Sequence, residues 1–256
     1  RRGQEGGLQA GKGRRRFVAA TVALGLLASS CAAFGSGDDG GAAEEAAGRY
    51  LNAWAAGDLP AMTAAVADPP ADFASVQQQF RSGLGVVTGE VTDLRAETSG
   101  DEGTATFRAT LGLQGVGQWS YDGAVDLVQD DGEWRVRFDR ASLHPSLGEG
   151  GSLRVVREQG PRAQILAAGG QPLAAGGPGT GTDRIDGMAG DLIGELRTVD
   201  AAEAAQLGLR YAPGDLVGDD GVEAGFDDRL NGAPVGRVEA VAPDGTVEVV
   251  HEFGGE

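Results

Sequence analysis

The chain has 256 residues, a net charge of −17 and an apolar share of 41 %, with aromatic residues at only 5 %. That length accommodates one or two packed domains, and the acidic balance opposes binding to nucleic-acid phosphates or anionic headgroups. A single cysteine, Cys31, excludes an intrachain disulfide and any metal site built on several cysteines.

Residues 1–30 have the layout of an export signal. Lys12, Arg14, Arg15 and Arg16 make a basic start, residues 17–28 form an apolar run, and Ala28, Ser29 and Ser30 lead into Cys31. The run is shorter than the ~20 residues that span a bilayer. A cysteine after small residues resembles a bacterial lipobox, in which that cysteine is lipidated; Ala28 stands three places before it and Leu27 four. An uncleaved anchor and ordinary cleavage remain open beside lipidation. Residues 31–42, rich in Gly, Ser and Asp, are expected to be a flexible tether.

Residues 43–56 place Ala47, Tyr50, Leu51 and Trp54 on one helical face. Gly57 should end that helix, and Asp58 should cap a second with Pro60 in its first turn. A third is expected over residues 71–84, with Phe73, Val76, Phe80 and Leu84 aligned. The period then changes to two. Phe107, Leu111 and Leu113 alternate with polar residues, as do Trp119, Val125 and Leu127, and then Trp134, Val136 and Phe138. These are antiparallel strands with one solvated face, the last two joined by a turn at Asp131 and Gly132, with a weaker strand within 86–98.

Beyond a joint at residues 148–151 a strand is expected at 153–157 and a linker at the glycine-rich residues 176–181. Asp200 is positioned to cap a helix with Glu203 at capping-box spacing. One helix is expected over 222–230, ended by Gly232, followed by a hairpin of 235–241 and 246–250. The fold class is α+β: a cone-shaped domain of three helices and a curled antiparallel sheet at 43–148, then a mixed α+β domain at 149–256.

Helices followed by a curled meander resemble the nuclear-transport-factor-two/ketosteroid-isomerase group. More specifically, Tyr50, Leu51, Trp54, Gly57 and Asp58, followed by Trp134, Val136, Phe138, Leu143, His144, Pro145 and Leu147, resemble the N-terminal domain of some actinobacterial and staphylococcal penicillin-binding proteins. The phrase from Gly221 through Glu223, Phe226, Asp227 and Leu230 to Gly232 and Pro234 resembles the segment that precedes the transpeptidase domain in class B penicillin-binding proteins. Arg162 lies in a stretch similar to the pedestal, or dimerisation, motif of that family, with Ala163, Ala167 and Ala168 where the motif has Gly, Asp and Arg. The resemblance implies a non-catalytic region that positions a peptidoglycan D,D-transpeptidase on the outer face of a bacterial membrane. It implies peptidoglycan and cell-wall synthesis proteins as partners, penicillin binding in the longer parent, and no cofactor. The alternative is a free-standing exported lipoprotein with a ligand- or protein-binding cone.

The catalytic set of such a transpeptidase, Ser-x-x-Lys with Ser-x-Asn and Lys-Thr-Gly, does not occur. The only lysine is Lys12, and Asn52 and Asn231 follow Tyr50 and Arg229 at the serine position. His144 and His251 are expected to be structural, and the acidic pairs Glu44–Glu45, Asp130–Asp131, Asp219–Asp220 and Asp227–Asp228 to be solvated faces. An isomerase-like reading of the cone would nominate Tyr50, Tyr121 and Asp72. Glu223 is expected to pair with an arginine, Arg162 or Arg229, to fix the second domain.

Overall fold

The structure, a computed structural model, describes residues 39–254 except 149, 159, 161, 178–179 and 185–187. The signal-like segment, Cys31 and tether residues 35–38 lie outside the described residues.

Three helices come first. α1 (Asp39–Ala56) buries Ala43, Ala47, Tyr50, Leu51 and Trp54 along one face. Residues 39–42, expected in the tether, are its first turn. Strong helix formers at 42–47 propagate the helix backward, because each added residue gains a bond without a new nucleation cost. Gly57, at φ 73°, ends it. α2 (Leu59–Ala65) starts where Asp58 accepts a hydrogen bond from the Ala61 N–H at 3.1 Å. α3 (Phe73–Leu84) buries Phe73, Val76, Phe80 and Leu84.

The chain then forms a four-stranded meander of β1 (Val86–Ser99), β2 (Glu102–Leu113), β3 (Gly117–Asp130) and β4 (Glu133–Arg137), paired in that order. Asp131 and Gly132, both at positive φ, make the tight turn between the last two. A bulge between Thr92 and Arg95, with Asp93 at φ 55°, bends β1. The sheet curls around α1: Trp54 meets Phe107 edge-on at 6.4 Å and Phe80 at 6.0 Å.

The remaining elements are short: β5 (Ser152–Glu158), β6 (Ile165–Leu166), β7 (Pro172–Gly177), β8 (Thr180–Arg184), α4 (Met188–Ile193), β9 (Leu196–Thr198), α5 (Ala201–Leu207), β10 (Leu216–Gly218), α6 (Gly221–Gly225), α7 (Asp227–Asn231), β11 (Val235–Val241) and β12 (Val247–Phe253). They make a sheet ordered β12-β11-β5, a sheet ordered β6-β7-β8 and the pair β9–β10.

Two expectations change here. The glycine-rich stretch 176–181 is not a linker, because Gly177 pairs with Thr180 in the β7–β8 hairpin. Backbone pairing needs no side chains, so glycines can serve it. The single helix expected over 222–230 is two, broken at Phe226 (φ −125°, ψ 20°). The break turns Asp227 inward, where its carboxylate accepts the Gly218 N–H at 2.8 Å.

One core spans both ends of the described chain. Leu153 of β5, Val238 and Ala240 of β11 and Phe253 of β12 belong to the same buried cluster as Leu84, Val116 and Trp119. Fully burying such side chains contributes about 1.5–3 kcal/mol each. α3 lies so close to β5 that a Cβ on Gly83 would sit 2.3 Å from the Leu153 carbonyl oxygen.

Candidate functional site

Arg162, on the irregular stretch after β5, is the centre of the most enclosed charged cluster among the described residues. Its side chain is 5 % exposed and that of Glu223 is 0 %. The guanidinium Nε and Nη2 lie 2.8 and 2.7 Å from Glu223 Oε2, and Nη1 lies 2.9 Å from Asp227 Oδ1. Nη2 also donates to the Glu223 carbonyl at 3.2 Å. Asp227 Oδ2 accepts from the Tyr211 hydroxyl at 2.6 Å and from Asn231 Nδ2 at 3.1 Å. Burial, and next the bond to Asp227, push the Tyr211 hydroxyl pKa up. Arg210 stacks 5.4 Å above the Tyr211 ring and pairs with Asp228 at 2.7 Å.

Glycines allow this closeness. A Cβ on Gly218 would lie 2.1 Å from the Glu223 carbonyl carbon, so only glycine lets α6 rest on β10 with Glu223 facing Arg162. Gly221, at φ 58°, would bring a Cβ within 2.6 Å of the Leu192 carbonyl oxygen. Gly232 follows α7 at φ 66°, and its carbonyl accepts a hydrogen bond from Arg210.

The structure thus brings together Arg162, Glu223, Gly221 and Gly232, while Arg229 is exposed. Asp227, expected on a solvated face, instead takes part in the buried network. Its spacing of four residues from Glu223 was the available signal. Asp219 and Asp220 are also engaged: Asp219 pairs with Arg197 at 2.8 Å and Asp220 accepts the Glu195 N–H at 2.6 Å. Asp200 caps α5 through the Glu203 N–H at 2.9 Å, but the Glu203 carboxylate goes to Arg197 rather than completing a capping box. Tyr211, Arg210 and Asn231 carry no local sequence signal. A narrow cleft of about 110 Å³ opens beside Arg157, Arg210 and Asn231, yet its arginines are already committed to Asp215, Glu223, Asp227 and Asp228. The arrangement suits a clamp better than a binding site.

A second set of contacts ties the sheet meander to this region. Gln114, in the β2–β3 loop, aims its amide nitrogen at the carbonyls of Ala204, Gly208 and Tyr211. The Gly115 N–H donates to the Leu209 carbonyl at 2.6 Å. Arg157 holds Asp215 with two bonds of 2.9 and 2.8 Å.

The cone interior holds aromatic rings, and among the described residues neither Tyr50 nor Tyr121 is hydrogen-bonded to a carboxylate. Tyr50 is bonded to Gln77 at 3.2 Å and Tyr121 donates to the Leu143 carbonyl at 2.5 Å. Burial drives both hydroxyl pKa values up. Asp72 lies at the surface, 2.9 Å from Arg140. His144 packs against Trp119 and Tyr121, with ring centroids 5.1 and 4.6 Å away, and burial lowers its pKa to about 4. His251 stacks on Trp119 with ring centroids 6.3 Å apart. Among the described residues, no three His, Cys, Asp or Glu side chains are placed to hold a metal ion. No described helix is long and apolar enough to cross a membrane.

Residues 42–151 match the family of the NTF2-like N-terminal transpeptidase domain, in agreement with the cone of helices and curled sheet. No curated protein matches the chain. Similar solved structures include an LEH-like epoxide hydrolase from Mycobacterium tuberculosis (21 % identity, TM-score 0.29, covering 41 % of this chain and 89 % of that one). Another is the Kfla4162 protein from Kribbella flavida (17 % identity, TM-score 0.30, covering 39 % and 91 %). A third is a SEC-C motif containing protein from Rhodopseudomonas palustris (18 % identity, TM-score 0.28, covering 34 % and 68 %). These likenesses carry no functional inference.

Proposed function

We propose that this chain is the N-terminal, non-catalytic region of a class B penicillin-binding protein, a peptidoglycan D,D-transpeptidase of cell-wall synthesis. The observation that carries the reading is the match of residues 42–151 to the N-terminal transpeptidase domain family. Residues 149–256 would be the pedestal, or dimerisation, domain of that enzyme. The clamp of Arg162, Glu223 and Asp227 supports this role, since a spacer must hold a fixed shape under load. The chain's work is then to set the height and orientation of a catalytic domain and to offer surfaces to cell-wall synthesis partners. Chemistry and penicillin acylation belong to the parent.

The test uses source cells treated with a fluorescent penicillin, followed by capture with an antibody raised against residues 43–148. A labelled band larger than 26 kDa is the expected result. An unlabelled band at or below that mass would overturn the reading in favour of a self-contained exported protein. We place the region on the outer face of the membrane, held through Cys31 or an uncleaved signal. Metabolic labelling with an alkyne fatty acid should mark the wild type and not Cys31→Ala if the lipid is the anchor.

A further inference from the structure

The chain has two asparagines, and they sit in opposite chemical settings. Asn52 is exposed within the long helix α1 and is followed by Ala53. Asn231 is the last residue of the short helix α7 and is followed by Gly232. A backbone nitrogen that follows an asparagine can attack the side-chain carbonyl carbon and close a five-membered imide. Glycine in that place makes the attack easiest, because it has no side chain to obstruct the nitrogen and the freest backbone. Gly232 is exposed, at φ 66°, and a Cβ there would meet nothing within 4 Å. Its N–H makes no hydrogen bond among the described residues.

The closed clamp restrains this reaction. Asn231 Nδ2 donates to the Leu216 carbonyl at 3.2 Å and to Asp227 Oδ2 at 3.1 Å. Both bonds must release before the Asn231 Cγ can turn to the Gly232 nitrogen. A five-residue helix has few bonds of its own to resist such fraying. The partner involved is central, since Asp227 also holds Arg162 and accepts the Tyr211 hydroxyl. Replacing the amide by a carboxylate would remove both donated bonds and set two like charges at hydrogen-bond distance.

We propose that Asn231 and Gly232 form a deamidation site that records openings of the clamp. In the open state the Gly232 nitrogen bonds to Asn231 Cγ and the Cγ–Nδ2 bond breaks. Nδ2 leaves as ammonia, carrying the proton from Gly232. Water then adds to one imide carbonyl and gives aspartate or isoaspartate. Either product faces Asp227 with a negative charge, so the clamp closes less firmly afterwards. This site is independent of the reading of the chain as part of a transpeptidase.

The test is timed incubation of the full chain at neutral pH, followed by trypsin digestion and mass spectrometry. The peptide of residues 230–237 should gain the mass of an amide-to-acid exchange, while the peptide of residues 50–81, with Asn52, stays unchanged. Conversion should be slower in the folded chain than in a synthetic peptide of residues 230–237. Tyr211→Phe removes one bond to Asp227 and should quicken conversion about tenfold. Asn231→Asp, the aspartate product made genetically, should unfold at lower urea concentration than the wild type. Absence of conversion in the folded chain, equal rates in chain and peptide, or an unchanged rate in Tyr211→Phe would overturn the proposal. So would an Asn231→Asp variant as stable as the wild type.

Discussion

Between residues 43 and 153 the enclosed side chains are nearly all apolar, whereas between 160 and 232 a buried ion pair, Arg162 with Glu223, lies beside a small core of Val199, Ala204, Tyr211 and Val217. The first region has long strands and two long helices to bury, and all three tryptophans, Trp54, Trp119 and Trp134, lie in it. The second has elements of two to seven residues, many of them bordered by glycine. Such pieces present too little apolar surface to choose one arrangement by packing alone. A fixed guanidinium fork met by two carboxylates is directional and can choose, at the cost of desolvating its charges. Shape in the first region follows from volume, and in the second from geometry of charge.

That contrast can be broken at either end. Arg162→Ala, which strands Glu223 in a dry site, should cost about 3–5 kcal/mol. Because every tryptophan lies outside residues 160–232, far-UV dichroism should lose cooperativity before tryptophan fluorescence changes in thermal melts. Coincident transitions would mean that the shared core dominates and that the contrast is superficial. Leu127→Ala, at a fully buried position of β3, should cost about 3 kcal/mol and move the fluorescence midpoint directly.

Acid offers a graded probe of the aromatic seam. His144 stays neutral in the fold down to a pKa of about 4, against 6.5 for an ordinary imidazole. The unfolded chain therefore binds a proton that the fold refuses between these values, so stability falls as pH drops from about 6.5 to about 4 and then levels off. At 1.36 kcal/mol per unit the loss approaches about 3 kcal/mol. Urea titrations across that range should show a shallower slope in His144→Asn. The smallest effect is expected of Gln114→Ala, about 1 kcal/mol. It should sharpen the contrast by letting the two transitions separate in a melt.

The same contrast governs what sequence alone could reveal. Strands β2, β3 and β4 announce themselves because each buries one face, giving clean alternation in Phe107, Leu111, Trp119, Leu127 and Val136. β1 is weaker in sequence, since its pattern slips at the bulge beyond Thr92. The pairing of Glu223 with an arginine was a legible expectation, because an acid amid glycines and apolar residues needs a partner. Its extension to Tyr211, Arg210 and Asn231 was not, since contacts to Arg162 and its partners across the chain leave no periodic trace. Helix patterning also missed the break at Phe226, where orienting Asp227 outweighs continuing the hydrogen-bond ladder.

Phe253, Val238 and Ala240 complete a core that begins with Ala43, and this sets an order of events during synthesis. A chain emerging at about 5–20 residues per second exposes the flank of Leu84 and Val116 for roughly 10–30 s before its covering strand exists. Through that interval the first region can only be a partly closed cone with a greasy side, a natural target for holding chaperones. A fragment ending near residue 148 would carry that exposed flank permanently. Sticky behaviour of such a fragment would then report an unfinished core rather than a defective sequence.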